Sequence, residues 1–61
     1  MQLFIGNHER VIGRKAYVKT LSGFVSGRIV EYVYNSQKYL LSMNGGGKCY
    51  TQRVYIDLER Q

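Results

Sequence analysis

The chain has 61 residues, enough for one small domain, and its nine Lys and Arg against four Asp and Glu give a net charge of +5. Its single cysteine excludes an internal disulfide, and one cysteine with one histidine falls short of the ligand set of a structural zinc site. No apolar run approaches the roughly 20 residues of a membrane span, and with no export signal we expect a cytoplasmic protein without membrane partners.

Short strands are predicted wherever β-branched and aromatic residues run between turn residues. In chain order these are residues 2–5 (or an arm, within a segment 1–12), 15–20, 24–34, 38–43, 48–54 and a very short closing strand through Leu58. Turns are predicted at residues 21–23, 35–37, 44–47 and, as a single tight turn, from Tyr55 to Asp57. Helical periodicity is nearly absent, so the fold class expected is all-β.

Alternation within the strands predicts which side chains face the core. The expected core is Ala16, Val18, Val25, Ile29, Leu41, Met43, Val54 and Leu58. Gly27 indicates a bulge or bend inside the longest strand, so the orientation of Val30, Tyr32 and Val33 is left open. A meander of five short strands with a turn before the last one predicts a small barrel, because closure removes exposed sheet edges.

Three stretches carry a resemblance to a known family. YVKTLSGFVSGRIVEY, KYLLSM and YTQRVYIDLER resemble the SH3-like small barrels of bacterial and phage proteins, over roughly residues 13–60. The resemblance implies an SH3-like five-stranded small barrel with a short terminal 3-10 turn, as one domain over residues 1–61. Because this barrel carries nucleic-acid binders, peptide binders and a few enzymes, it leaves the function open.

A more distant resemblance is to the plasmid-borne type II dihydrofolate reductases. GRIV (27–30) and DLER (57–60) are similar to stretches of that family, and Lys19 falls where its hairpin lysine would lie. The family signature V-Q-I-Y is not kept, since in TQRVY (51–55) an arginine interrupts the spacing after Gln52. The activity of that family is therefore only a distant alternative.

The glycine run MNGGGKCY (43–50) invites comparison with a phosphate-binding loop. Such a loop needs a glycine where Ser42 stands, a hydroxyl residue where Cys49 stands, and a following helix. The sequence instead continues with a strand pattern, and Asn followed by glycines supplies the positive φ angles of a tight hairpin. We interpret residues 44–47 as a turn between two strands.

No catalytic constellation is visible. His8 lies in the polar run GNHER and is interpreted as a surface histidine, and Cys49 as a small strand residue with Lys48 on the opposite face. A nucleophilic cysteine would need a base and an electropositive pocket. We therefore expect a non-enzymatic protein with no metal and no cofactor.

Cations and tyrosines recur together on at least three of the predicted strands. Tyr17 and Lys19 share the outward face of one strand, and beyond Gly27 two tyrosines follow Arg28 at even spacing. Positive side chains for phosphates, interleaved with rings on which bases stack, are typical of a sequence-tolerant nucleic-acid surface. The predicted binding residues are Tyr17, Lys19, Arg28, Tyr32, Tyr34, Lys48, Arg53 and Tyr55. The partner expected is DNA or RNA.

Other interpretations of the same residues stay open. Cross-strand tyrosine pairs stabilise a sheet, and lysines keep its edges soluble, without any partner. A protein–protein interaction module, such as a phage or plasmid regulator or inhibitor of a host protein, would meet an acidic partner with the same charge. A homo-oligomer is a further option, in which the apolar arm at residues 3–5 adds to a neighbour's sheet.

Overall fold

Six β-strands form one antiparallel sheet in the computed structural model, which describes residues 1–57. The strands are β1 (Gln2–Leu3), β2 (Lys15–Thr20), β3 (Gly23–Val33), β4 (Lys38–Met43), β5 (Lys48–Thr51) and β6 (Tyr55–Ile56). A 3-10 helix, His8–Val11, lies between β1 and β2. The prediction of an all-β fold is confirmed, and β2 and β4 have the predicted bounds.

The sheet order is β1-β6-β2-β3-β4-β5. Strands β2 to β5 form a meander of hairpins, and β6 returns to lie beside β2. The N-terminal segment contributes a short strand rather than a free arm, because β1 pairs with the outer side of β6. Among the described residues β1 and β5 are edge strands that do not pair with each other, so the sheet has six strands and is not closed.

The tight turn predicted at Tyr55 to Asp57 is wrong. Tyr55 is extended and lies opposite both Leu3 and Tyr17, so strand pairing on two sides outweighs the local turn signal. The one 3-10 helix of residues 1–57 lies near the N-terminus instead, where the Asn7 side chain accepts a hydrogen bond from the Glu9 N–H at 3.0 Å. The predicted closing strand through Leu58 reaches outside the described residues.

Strand β3 contains its irregularity at Val30 and not at Gly27. Its register against β4 shifts between Ile29 and Glu31, which is a bulge that leaves Val30 outside the pairing. Gly27 lies in regular pairing, and a Cβ atom there would come within 2.8 Å of the Ser42 carbonyl oxygen. Gly27 therefore permits the close approach of β4, and the bulge resets which side chains face inward.

The core lies on the face of the sheet that the 3-10 helix contacts. Its buried residues are Val11, Ala16, Val18, Ile29, Tyr39, Leu41, Val54 and Ile56. Five of these were predicted, while Met43 is only partly buried against the cluster and Leu58 lies outside the described residues. Val25 was predicted inside but is 41% exposed, because β3 at that point extends beyond its pairing with β4, which begins at Gly27.

Candidate functional site

The outward face of β2 alternates cation, aromatic ring and cation. Lys15, Tyr17 and Lys19 lie on this face, about 7 Å apart along the strand, because every second residue of a strand shares a side. Their inward neighbours, Ala16 and Val18, are buried, which fixes this orientation. The Lys15 Nζ lies 5.5 Å from the centroid of the Tyr17 ring, close enough for a cation–π contact.

A second line of cations crosses the sheet at the level of Lys15. The pairing register places Arg28, Ser42 and Lys48 beside it on β3, β4 and β5 in turn, all exposed and all on the outward face. Arg28 Nη1 donates a hydrogen bond to the Gly13 carbonyl at 2.6 Å, which holds the guanidinium while its other N–H groups stay available. Four adjacent strands thus present three cations and a hydroxyl in one row.

Aromatic rings adjoin these cations. Tyr55 on β6 pairs with Tyr17, and Phe24 on β3 pairs with Lys19. The rings of Phe24 and Tyr55 make an edge contact, with centroids 5.2 Å apart, and Phe24 is 45% exposed. We use the name basic aromatic face for the set Lys15, Tyr17, Lys19, Phe24, Arg28, Lys48 and Tyr55.

An open groove of about 890 Å³ adjoins the face at Lys19 and Tyr55. Its other charged and aromatic lining residues are Lys38, Tyr50 and Arg53, and none of the lining residues within 1–57 is acidic. Local hydrogen bonds shape its wall: the Arg53 N–H donates to Thr51 Oγ1 at 3.3 Å, and the Thr51 hydroxyl donates to the Arg53 carbonyl at 3.0 Å. The groove therefore combines three cations with two tyrosines.

The positive charge of this region is left uncompensated by the described carboxylates. Within residues 1–57 the one ion pair joins the N-terminal amine to Asp57 Oδ1 at 3.7 Å, and no Lys or Arg side chain takes part in an ion pair. Asp57 also contacts the face, since its Oδ2 accepts a hydrogen bond from the Tyr17 hydroxyl at 3.5 Å. An anion that approaches the face meets cations that are not already paired within this part of the chain.

Tyr32 and Tyr34 are not part of the basic aromatic face. The bulge at Val30 turns Tyr32 to the core side, where it pairs with the buried Tyr39. Its ring stacks on the His8 ring, with centroids 3.6 Å apart and an interplanar angle of 8°. Tyr34 follows in the β3–β4 turn, with its ring edge-on to Tyr32 at 4.8 Å. Even spacing from Arg28 thus does not bring these two tyrosines to the same face as Arg28.

His8 supports the structure and is not the surface residue predicted. It is half-buried, its Nδ1 lies 2.6 Å from the Tyr39 hydroxyl, and its ring packs on Tyr32. Burial raises the pKa of Tyr39, and the nearby Tyr32 and Tyr34 raise that pKa further. One hydrogen bond and one stacked pair of rings therefore hold the 3-10 helix against the core.

The glycine run is a hairpin turn, as predicted. Gly46 and Gly47 have φ angles of 99° and 82°, and the Met43 N–H donates to the Gly47 carbonyl at 3.0 Å. Cys49 is half-buried against the core, and Lys48 lies on the other side of β5. In the part of the chain that the structure describes, no three His, Cys, Asp or Glu side chains lie close enough to hold a metal ion. That part also contains no helix long and apolar enough to cross a membrane.

Five of the eight predicted binding residues belong to the basic aromatic face, and Arg53 lies in the groove beside it. Residues of this region that the sequence did not single out are Lys15, Phe24, Lys38 and Tyr50. Lys15 and Phe24 could have been predicted from the sequence. Lys15 alternates with the buried residues of β2, and Phe24 faces the predicted site residue Lys19 across the β2–β3 hairpin. Tyr50 carried a similar signal, because it lies two residues after Lys48 on the same side of β5, whereas Lys38 joins the region only through the curvature of the sheet. The chain matches no family model, and no curated protein or solved structure shows significant similarity to it.

Proposed function

We propose that this protein binds nucleic acid, DNA or RNA, through the basic aromatic face and the adjoining groove, without catalysing a reaction. The observation that carries the proposal is the alternation of Lys15, Tyr17 and Lys19 on the outward face of one strand, flanked by further cations and rings. Cations neutralise phosphates, and exposed rings accept bases by stacking. The same surface therefore offers contacts to the phosphates and to the bases of a nucleic acid.

The charge of the region sets the size of the expected effect. Six cations lie on the face and in the groove, namely Lys15, Lys19, Arg28, Lys38, Lys48 and Arg53. If about three to five of them contact phosphates, the logarithm of the affinity falls with the logarithm of salt concentration at a slope near −3 to −4. Binding is then strong near 50 mM salt and weak at several hundred millimolar.

We also propose that the sheet belongs to an SH3-like small barrel. The support is its connectivity: β2 to β5 form a meander, and β6 then returns to the side of β2, as a closing strand would. The curved sheet encloses the core between its inward face and the 3-10 helix. On this proposal β1 is an addition to the five strands of the barrel.

The experiment is a binding titration with fluorescently labelled single-stranded and double-stranded oligonucleotides at several salt concentrations. The test variant replaces Lys15 and Lys48 by glutamine, and the matched control is Arg10→Gln, an exposed cation on the 3-10 helix away from the face. We expect the double variant to weaken binding and to flatten the salt slope by about one to two, since each lost phosphate contact removes about one. No detectable binding of the unmodified protein to either oligonucleotide near 50 mM salt would end the proposal.

The distribution of tyrosines bears on the protein-interaction alternative. A peptide-binding module would gather its rings in a groove with few lysines, whereas the described groove holds two tyrosines with three cations. Tyr32 and Tyr39 are engaged with His8 and each other. This arrangement favours nucleic acid over an acidic protein, and an acidic polypeptide such as polyglutamate serves as the competitor that compares them.

The reductase alternative has one observation in its favour. Lys19, which falls where that family's hairpin lysine would lie, and Gln52, after which the signature spacing is interrupted, line the same groove. Arg53 lines it as well and adds a charge that the family signature lacks at this spacing. We expect no oxidation of NADPH by dihydrofolate in the presence of the protein, and measurable turnover would favour this alternative instead.

A further inference from the structure

Two rings of the proposed binding surface, Tyr50 and Phe24, are open to solvent. Tyr50 is 59% exposed and Phe24 is 45% exposed, although both belong to strands of the sheet. Tyr50 pairs with Leu40, a residue outside the inward core cluster, so its ring lies on the outward side of β5. A ring of this kind can take a base only if the face of that base is free, and in a duplex both faces are covered by neighbouring base pairs.

The shape of the surface points in the same direction. Reading a duplex requires an element that projects into a groove, usually a helix or a two-stranded ribbon. The cations and rings of the basic aromatic face lie on strands of the sheet, and the helix of the described residues spans four residues and packs over the core. The β2–β3 turn at residues 21–22 and the β4–β5 turn at residues 44–47 carry no charged side chain. The β3–β4 turn at residues 34–37 is uncharged as well, so none of the three hairpin tips offers a cation to a phosphate backbone.

We propose, on the basis of the nucleic-acid function above, that the ligand is single-stranded. Its phosphates lie along the cations of β2 and along the row that leads from Lys15 through Arg28 to Lys48. Its bases stack on the exposed rings, chiefly Tyr50 at the groove and Phe24 on the face. Such contact is tolerant of sequence, because every base has a flat face and no base edge is read.

The experiment compares a 20-nucleotide oligothymidylate with a 20-base-pair duplex at about 100 mM salt, by fluorescence anisotropy on the full chain. The expected result is at least tenfold tighter binding of the single strand. A matched pair of variants tests stacking at one ring: Tyr50→Phe keeps the ring and retains affinity, whereas Tyr50→Leu keeps an apolar side chain without a ring and loses about tenfold. The exposure of Tyr50 makes both variants compatible with folding, which circular dichroism verifies.

The outcomes separate the two proposals. Duplex binding that equals or exceeds single-strand binding, with a steep salt slope, overturns the single-strand inference and leaves the nucleic-acid function in place. Equal losses for Tyr50→Phe and Tyr50→Leu also overturn it, because the contact would then come from the hydroxyl and not from the ring. Absence of binding to both oligonucleotides removes the nucleic-acid function, and the inference falls with it.

Discussion

Replacement of Gly27 by alanine tests the close packing of β3 against β4. A Cβ atom at this position would lie 2.8 Å from the Ser42 carbonyl oxygen, 2.9 Å from Met43 Sδ and 3.1 Å from Met43 Cα. Ordinary contacts of a methyl group begin near 3.4 Å. Met43 Sδ can move by a change of rotamer, but the carbonyl and Cα belong to the backbone of the neighbouring strand. The two strands must therefore separate locally by about half an ångström.

The size of the effect follows from two opposing contributions. Overpacking of a well-packed site costs about 1–3 kcal/mol. Replacement of glycine by alanine restricts the unfolded chain, and this stabilises the folded state by about 0.4–1 kcal/mol. We therefore expect Gly27→Ala to lower the free energy of unfolding by about 1–2 kcal/mol. In a domain of this size each kcal/mol lowers Tm by about 4–8 °C.

Gly45→Ala is the matched control for Gly27→Ala. Gly45 lies in the adjacent β4–β5 turn, a Cβ there would meet nothing within 4 Å, and its φ is not positive. The same chemical change should leave stability unchanged or raise it slightly. Thermal and urea unfolding, followed by circular dichroism, measure both variants. If Gly27→Ala is as stable as the unmodified protein, or Gly45→Ala loses more, the packing argument is refuted.

Leu41→Ala should lower the free energy of unfolding by about 2–5 kcal/mol, because Leu41 is fully buried. Leu21→Ala should have almost no effect, because Leu21 is fully exposed. Urea titrations of the two variants measure this difference. The pKa of Tyr39 is raised by burial and, to a smaller extent, by Tyr32 and Tyr34, so the folded state favours the neutral hydroxyl. The stability that Tyr39 contributes is therefore present below about pH 10 and is lost as the pH rises through the folded-state pKa. Unfolding midpoints measured from pH 8 to about pH 11.5 should therefore fall less steeply for Tyr39→Phe than for the unmodified protein, and an equal fall would contradict this assignment.

Much of the strand pattern is visible in the sequence because it depends on local signals. Residues 15–20 and 38–43 alternate cleanly between turn residues, and both form strands with those bounds. The role of Val11 is not visible in the same way, because a single apolar residue in a polar run shows no periodicity. It becomes fully buried only because the 3-10 helix packs against β3. The pairing of Tyr55 on both sides likewise depends on strands distant in the chain.

The part of the candidate site that lies on a single strand could be predicted from the sequence. Tyr17 and Lys19 share a face through simple alternation, and the structure places them as expected. Tyr32 was assigned to the same face as Arg28 because the two residues are evenly spaced along β3. The bulge at Val30 breaks this alternation. The position of a bulge depends on how two strands pack together. In β3 the sequence indicated a bulge at Gly27, whereas the bulge lies at Val30. Lys38 could not be found from sequence, since only the curvature of the sheet brings it beside Lys19 and Arg53.

The position of β6 imposes an order on folding. It is the last described strand in the chain, yet it lies inside the sheet, between β1 and β2. The hairpins from β2 to β5 join neighbours through short turns and can form early, whereas β1 has no partner until β6 arrives. During synthesis β1 (Gln2–Leu3) must therefore wait until β6 (Tyr55–Ile56) has been made. Until then, the Phe4 side chain, which packs against the core in the folded protein, stays accessible to chaperones and proteases.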